Sequence, residues 1–163
     1  MGSLLRRAAS TLLLTSGVGF ASVALAADFS PAGPFTSAAG TLTIRTPSTF
    51  GSPLTCGLTV AGNVSAFTGV HINTFSITGP GFCSLLKPKI LGWRMNAFSS
   101  TSALIDDVGF SITSLPATHC GPNQIYASWN YASHQLTVFN QALSGNCTLE
   151  RMELTFPTLS IAN

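Results

Sequence analysis

The chain has 163 residues, of which only 7% are Asp, Glu, Lys or Arg, and its formal net charge is +2. Ordinary soluble domains carry roughly 25% of such residues. A charge balance this small provides no basic stripe that could neutralise nucleic-acid phosphates, so we predict no nucleic-acid partner.

The N-terminal segment has the pattern of a secretory signal peptide. Two arginines precede an apolar stretch at residues 11–26, which ends in the small-residue pattern Ala-Leu-Ala. A membrane anchor is the alternative, but this stretch is shorter than the roughly 20 residues that cross a bilayer. We therefore predict a cleaved signal peptide at residues 1–26 and no membrane span after cleavage.

The remaining segment, residues 27–163, is predicted to form a single all-β domain. It has five basic and five acidic side chains, because Arg6 and Arg7 leave with the leader, and it contains 33 Ser and Thr residues. Hydroxyl groups replace charges on such a surface, which weakens the repulsion between copies. The pattern favours packing against other copies, an extracellular matrix or an apolar surface; the alternative is a β-domain whose exterior is simply rich in hydroxyl groups.

Alternation of apolar and polar residues predicts short, half-buried strands. In the clearest run, Val108, Phe110 and Ile112 lie on one face. The run at 125–131 places Trp129 and Tyr131 together on an apolar face, and 92–97 and 151–156 alternate in the same way. Weaker candidates lie at 41–46, 56–61, 70–78 and 135–140. With Gly, Pro and Asn turns between them, these strands predict an antiparallel β-sandwich or Greek-key barrel.

The four cysteines, Cys56, Cys83, Cys120 and Cys147, are the most specific feature of the exported segment. An even number of cysteines in an exported protein indicates disulfides, and three pairings are open. Both outer intervals are 27 residues long, and the neighbouring Cys-Gly and Cys-Ser/Thr-Leu contexts repeat. This internal repeat favours disulfides between Cys56 and Cys83 and between Cys120 and Cys147. Zinc binding is disfavoured because zinc sites require closely spaced pairs.

Catalytic motifs are missing from the sequence. It has no Gly-x-Ser-x-Gly or His-Glu-x-x-His pattern, and no glycine-rich phosphate loop. The carboxylate pairs Asp106/Asp107 and Glu150/Glu153 could in principle serve a glycosidase, but solvated turn and strand positions are the better interpretation. We predict no catalytic residues, no metal, no cofactor and no enzyme activity.

Aromatic residues outside the alternating pattern are candidates for contact with a partner. Trp93 and Trp129 lie on the apolar faces of their strands and are predicted to be in the core. Tyr126 is on the face opposite to Trp129, and Phe98 and Phe139 interrupt their local alternation. We predict Phe98, Tyr126 and Phe139 as candidate residues of an exposed apolar patch.

The order of these motifs resembles a known bacterial family. Six motifs follow one another along the chain: a Phe-Thr start at 35–36, a cysteine followed by Cys-Ser-Leu after 26 residues, a Trp strand, Cys-Gly-Pro, a second Trp strand and Gly-x-Cys-Thr. The chain is similar to the secreted alkane-oxidation activators of the PraA/PraB type over most of residues 29–161. The resemblance implies a small exported protein linked to growth on alkanes and, in some members, to biofilm assembly at the cell surface, with no catalytic residues to transfer.

Two functions follow as hypotheses. The first is an exported, non-catalytic structural or interaction protein, associated with the bacterial surface or biofilm, whose strand edges and charge-poor faces bind other copies or the matrix. The second is an extracellular module that binds an apolar ligand such as an alkane or lipid. Both place the protein outside the cytoplasm, either in the periplasm or in the medium.

Overall fold

The computed structural model describes residues 27–66, 68–90 and 92–162, and these residues are almost entirely β-structure. The predicted signal peptide therefore lies outside the described residues. Two short 3-10 turns, Pro47–Thr49 and Gly81–Leu85, interrupt the strands. The strands are β1 (Asp28–Ser30), β2 (Gly33–Thr36), β3 (Gly40–Arg45), β4 (Pro53–Ser65), β5 (Gly69–Thr78), β6 (Leu86–Pro88), β7 (Trp93–Ser99), β8 (Ser102–Ile112), β9 (Thr118–Asn130), β10 (Gln135–Leu143), β11 (Cys147–Thr155) and β12 (Ser160–Ala162).

Eight of these strands form a closed antiparallel barrel. Around the barrel the order is β3, β4, β5, β7, β8, β9, β10 and β11, and β11 pairs with β3 to close it. The closing register places Leu42 opposite Met152 and Ile44 opposite Leu149. The all-β, antiparallel, disulfide-containing fold is thus confirmed, and of the two predicted architectures the chain adopts the barrel.

The connections of the barrel run between neighbouring strands, so its topology is up-and-down and the Greek-key connection is not used. Each barrel strand pairs with the barrel strand that follows it in the chain, and the short strand β6 lies in the connection between β5 and β7. The short strands β2 and β6 extend this sheet by pairing with β4 and β8. Strand addition by hairpins needs only short loops, which explains why turn clusters recur so regularly in the sequence.

Apolar side chains fill the interior of the barrel. Trp93 and Phe110 are fully buried, and their rings meet edge to face with centroids 5.3 Å apart. The Trp129 ring packs on Phe156, with centroids 6.2 Å apart, and both residues are buried. Eight-stranded barrels have interiors that side chains can just fill. Each large apolar residue buried here stabilises the fold by about 1.5–3 kcal/mol.

One strand boundary differs from the sequence prediction. The alternation at 125–131 places Tyr131 on the buried face with Trp129, but β9 ends at Asn130 and the Tyr131 side chain is 64% exposed. The prediction is wrong at this residue because the chain turns there: the Asn130 side-chain oxygen accepts hydrogen bonds from the backbone N–H groups of Ala132 and Ser133. Such an Asx turn ends the alternation that extended backbone imposes.

The two ends of the barrel are built differently. β4, β9 and β11 run in the same direction, so their first residues lie at one end, which we call the disulfide end because Cys56, Cys120 and Cys147 are located there. At the opposite end the first and last described strands, β1 and β12, pair as a separate two-stranded sheet. Phe29 of β1 is buried with its ring 5.5 Å from that of Trp129. We call this the strand-capped end.

Candidate interaction surfaces

Both disulfides lie at the disulfide end and hold equivalent positions in the repeat. Cys56 bonds to Cys83, and Cys120 bonds to Cys147; in each pair the Cα atoms are 5.6 Å apart. The first bond joins β4 to the 3-10 turn after β5, and the second joins the beginnings of β9 and β11. This pairing is the one that the spacing of 27 residues favours.

A glycine allows the chain to pass close to each disulfide. Gly79 has φ +137°, and an added Cβ would lie 2.9 Å from the Cys83 sulfur; Gly145 has φ +86°, and an added Cβ would lie 2.1 Å from the His119 carbonyl oxygen. In both cases that Cβ would be 3.7 Å from the Cα of the disulfide's first cysteine, Cys56 or Cys120. Larger residues are excluded at these two positions by space as well as by backbone conformation.

Hydrogen bonds join two loops across the disulfide end. In the β3–β4 loop, Thr46 caps the 3-10 turn through a reciprocal pair of hydrogen bonds with Thr49. The backbone N–H of Ser48 donates to the Thr118 hydroxyl oxygen at 2.9 Å, and the Ser48 hydroxyl donates to the carbonyl oxygen of Pro116 at 2.5 Å. Ser48 and Thr118 are both buried. The β3–β4 and β8–β9 loops are therefore held against each other.

The loops at the disulfide end expose large apolar side chains. Phe50 in the β3–β4 loop is 85% exposed, and Leu115 in the β8–β9 loop is 97% exposed. The β5–β7 connection adds three partly exposed residues, Phe82, Leu85 and Ile90. We call these five side chains the apolar tip. Sequence analysis missed this group because apolar residues in loops have no periodic pattern.

Phe50 holds an unusual backbone conformation. Its φ of 52° and ψ of 35° lie in the left-handed region, where a bulky L-residue costs about 1–2 kcal/mol. Gly or Asn is the usual choice at such a position. Because the backbone at Phe50 is strained and the side chain is exposed, this residue is a candidate for contact with something outside the chain.

The predicted residues Phe98, Tyr126 and Phe139 lie on the outer face of the barrel, where they are 72%, 63% and 51% exposed. They belong to β7, β9 and β10, and Leu104 on the intervening β8 lies opposite Tyr126. We call this set, including Leu104, the aromatic face. Its role as a contact surface stays a prediction.

Each of the four carboxylates that could in principle serve a glycosidase has its own hydrogen-bond or ion-pair partner at the surface. Asp106 accepts a hydrogen bond from Gln124 at 2.7 Å, and Asp107 forms an ion pair with Arg94 at 3.3 Å. The other two, Glu150 and Glu153, form ion pairs with Arg45 and Arg151 respectively. These contacts match structural roles on an exposed sheet surface.

The histidines also make local contacts. His71 Nε2 lies 2.9 Å from the Thr68 hydroxyl, and His134 Nδ1 lies 2.5 Å from the carbonyl oxygen of Leu159. His119 is in β9 next to Cys120, whose sulfur is held in a disulfide. Across the described part of the chain, no group of three or more His, Cys, Asp and Glu side chains is arranged to hold a metal ion.

The chain matches a protein family over its whole length. Residues 1–163 fit the family described as alkane oxidation protein activator PraA/PraB-like. The chain belongs to this family. The resemblance that the cysteine contexts and Trp strands indicate is thereby confirmed. No curated protein and no solved structure shows significant similarity to it.

The family description links the chain to activation of alkane oxidation without naming a site or a ligand. Within residues 27–66, 68–90 and 92–162, no helix is long and apolar enough to cross a bilayer.

Proposed function

We propose that this PraA/PraB-like chain is an exported, non-catalytic interaction protein that contacts hydrophobic material outside the cell through its apolar tip. The observation that carries the proposal is the pair Phe50 and Leu115, which protrude from loops joined by the buried Ser48–Thr118 contact. Exposed apolar groups on a fixed support lose little conformational entropy when they bind. Such groups suit adsorption to an alkane droplet or a lipid-coated surface.

Three properties support a place outside the cytoplasm. Two disulfides are typical of oxidising compartments. The charge-poor, hydroxyl-rich composition favours association with other copies or with matrix. The family name connects the chain to growth on alkanes, which are water-insoluble substrates that cells meet at an interface. We therefore propose a surface- or biofilm-associated role in that setting.

Self-association is proposed to use side chains rather than barrel edges. Each barrel strand is hydrogen-bonded to two neighbours over part of its length. Closure of this kind removes the long free edges to which another strand could add. Hydroxyl-rich outer faces and the exposed apolar groups are then the surfaces through which copies would meet.

Binding of a single apolar ligand is the second candidate function. The interior is occupied by buried side chains such as Trp93, Phe110 and Ile125, so this ligand would bind on the outside. The aromatic face favours this alternative because Phe98 and Tyr126 are large, exposed and carried by neighbouring parts of one sheet.

A depletion experiment with hexadecane emulsion tests the two candidates. Mature, oxidised protein is mixed with droplets, and the protein left in the aqueous phase is measured. The double variant Phe50→Asn/Leu115→Ser should stay in the water, whereas Phe98→Ser/Tyr126→Ser should adsorb like the parent chain. The reverse result would favour the aromatic face. Equal adsorption by all three proteins would contradict both candidates.

Light scattering of the same proteins measures self-association separately. We expect the apparent molar mass of the parent chain to rise with concentration, and the rise to be smaller for Phe50→Asn/Leu115→Ser. A parent chain that remains a strict monomer at all concentrations would remove self-association from the proposed function and leave contact with apolar material.

A further inference from the structure

An open groove of about 680 Å³ lies on the outer surface near the strand-capped end. It runs across β9 and β10 and reaches β11 at Glu153. Five of its nine lining residues are polar and uncharged: Thr101, Ser128, Asn130, Gln135 and Thr137. Its chemistry therefore differs from that of the apolar tip at the other end of the barrel.

The polar side chains form a regular array. Ser128 lies opposite Thr137 in the sheet register, and Asn130 lies opposite Gln135. The oxygen of the Asn130 amide is occupied by the turn at 131–133, so its NH₂ group is left to donate. Among the described residues, the side chains of Ser128, Gln135 and Thr137 have no hydrogen-bond partner, and they offer donors and acceptors side by side.

An aromatic ring borders each end of this array. Tyr131 lines the groove beside Asn130, and Phe139 lines it beyond Thr137. The Tyr131 ring stacks on His134 with centroids 6.1 Å apart and planes 29° apart, and the Arg151 guanidinium carbon lies 5.1 Å from the Phe139 centroid. Both rings are therefore supported before any ligand arrives.

The groove has little net charge. Of the lining residues in the described chain, Glu153 alone is a carboxylate, and its Oε1 accepts a 2.5 Å hydrogen bond from Arg151. Because the Glu153 carboxylate and the Arg151 guanidinium pair with each other, neither is left free to balance the charge of a strongly anionic or cationic ligand. Glycosidases use a pair of carboxyl groups across the scissile bond, so this single, ion-paired carboxylate suits binding without cleavage.

We propose that this groove binds a neutral extracellular polysaccharide. A sugar ring has an apolar C–H face that packs on an aromatic ring and a rim of hydroxyl groups that need hydrogen-bond partners. Two supported aromatic rings with uncharged amides and hydroxyls between them match both requirements. The groove shares Phe139 with the aromatic face but no residue with the apolar tip, so it does not depend on the function proposed for the tip. With that function, one molecule could join hydrophobic material to a polysaccharide matrix.

Retention on insoluble polysaccharides tests the proposal. Mature, oxidised protein is incubated with cellulose, with cross-linked dextran and with calcium alginate, and the free protein is measured. We expect retention on a neutral glucan that exceeds retention on the anionic alginate. Failure to bind either neutral matrix, or binding to alginate alone, would overturn the proposal.

Two tyrosines provide a matched pair of variants. Tyr131 in the groove and Tyr126 outside it are 64% and 63% exposed. Tyr131→Ala should weaken glucan binding about tenfold, as loss of an aromatic stacking partner does, and Tyr126→Ala should leave it unchanged. Equal weakening by both variants would indicate unspecific aromatic adsorption and overturn the proposal. Unchanged far-ultraviolet dichroism and an unchanged melting temperature establish that the variants are folded.

The apolar-tip variant separates this proposal from the proposed function. Phe50→Asn/Leu115→Ser should lose adsorption to hexadecane and keep its binding to the glucan, whereas Tyr131→Ala should show the opposite behaviour. Loss of both activities in either variant would contradict two independent sites.

Discussion

The two ends of the barrel are held together by different interactions. At the disulfide end, covalent bonds join β4 to the β5–β7 connection and β9 to β11. The buried Ser48–Thr118 contact there holds together the loops that expose Phe50 and Leu115 to solvent. At the strand-capped end, β1 and β12 pair with each other, and Phe29 packs on Trp129. Cross-links can secure an end whose apolar groups point outward, whereas burial secures an end whose apolar groups point inward.

The largest loss of stability is expected when a disulfide is removed from the disulfide end. On the chain-entropy model, closing a loop of this length stabilises the fold by about 3.5 kcal/mol. We expect Cys56→Ala/Cys83→Ala and Cys120→Ala/Cys147→Ala to lower the free energy of unfolding by similar amounts, because both separations are 27 residues. Urea denaturation measures both. A loss below about 1 kcal/mol for either variant would show that packing, and not the cross-link, secures that end.

Removal of the Phe29 ring tests the strand-capped end. Phe29 is buried against Trp129, and truncation of a buried Phe typically costs about 3–5 kcal/mol. Because β1 is only three residues long, local release of the strand should reduce this cost to about 2–3 kcal/mol. Urea denaturation of Phe29→Ala gives the value, and hydrogen exchange should show faster exchange at 28–30 and 160–162. Unchanged exchange there would contradict the assigned role of β1.

The sequence predicts most of the strands, but it does not predict how the barrel closes or how the strand-capped end is formed. Alternation locates most strands and places Trp93 in the core, because extended backbone turns successive side chains to opposite faces. Closure by β3 and β11 is not predictable in this way, since Leu42 and Met152 meet across most of the chain. Likewise, β1 and β12 are three residues each, too short for a periodic signal.

The candidate surfaces were only partly predictable. Phe98, Tyr126 and Phe139 stand out because they interrupt an alternating pattern or lie on its polar face. The exposure of Phe50 and Leu115 depends on loop conformation, which alternation does not report. Tyr131 continues the alternation of β9 in sequence, yet the Asn130 turn moves it to the groove.

A smaller change in the free energy of unfolding, this time a gain, is expected from a substitution at Phe50. Phe50→Asn removes a bulky residue from a left-handed backbone position, so we expect a gain of about 1 kcal/mol in the free energy of unfolding together with weaker adsorption to hexadecane. Thermal denaturation and droplet depletion measure the two quantities. A loss of stability would indicate that the phenyl ring supports the loop rather than a contact outside it.

The smallest change in stability is expected from a substitution on the aromatic face. Phe98 is largely exposed on β7, and substitutions at such surface positions usually change stability by no more than about 0.5 kcal/mol. Phe98→Ser should therefore melt like the parent chain. A marked decrease in the melting temperature would place Phe98 in the packing of the barrel and remove it from the candidate contact surface.

Hydroxyl-radical footprinting of the protein adsorbed on hexadecane droplets tests the central proposal most directly. Labelling of Phe50 and Leu115 should fall sharply relative to the protein in water, while Tyr131 at the opposite end should be labelled equally in both states. If Tyr131 were protected and Phe50 and Leu115 were labelled as in water, the apolar tip would not be the surface that meets hydrophobic material.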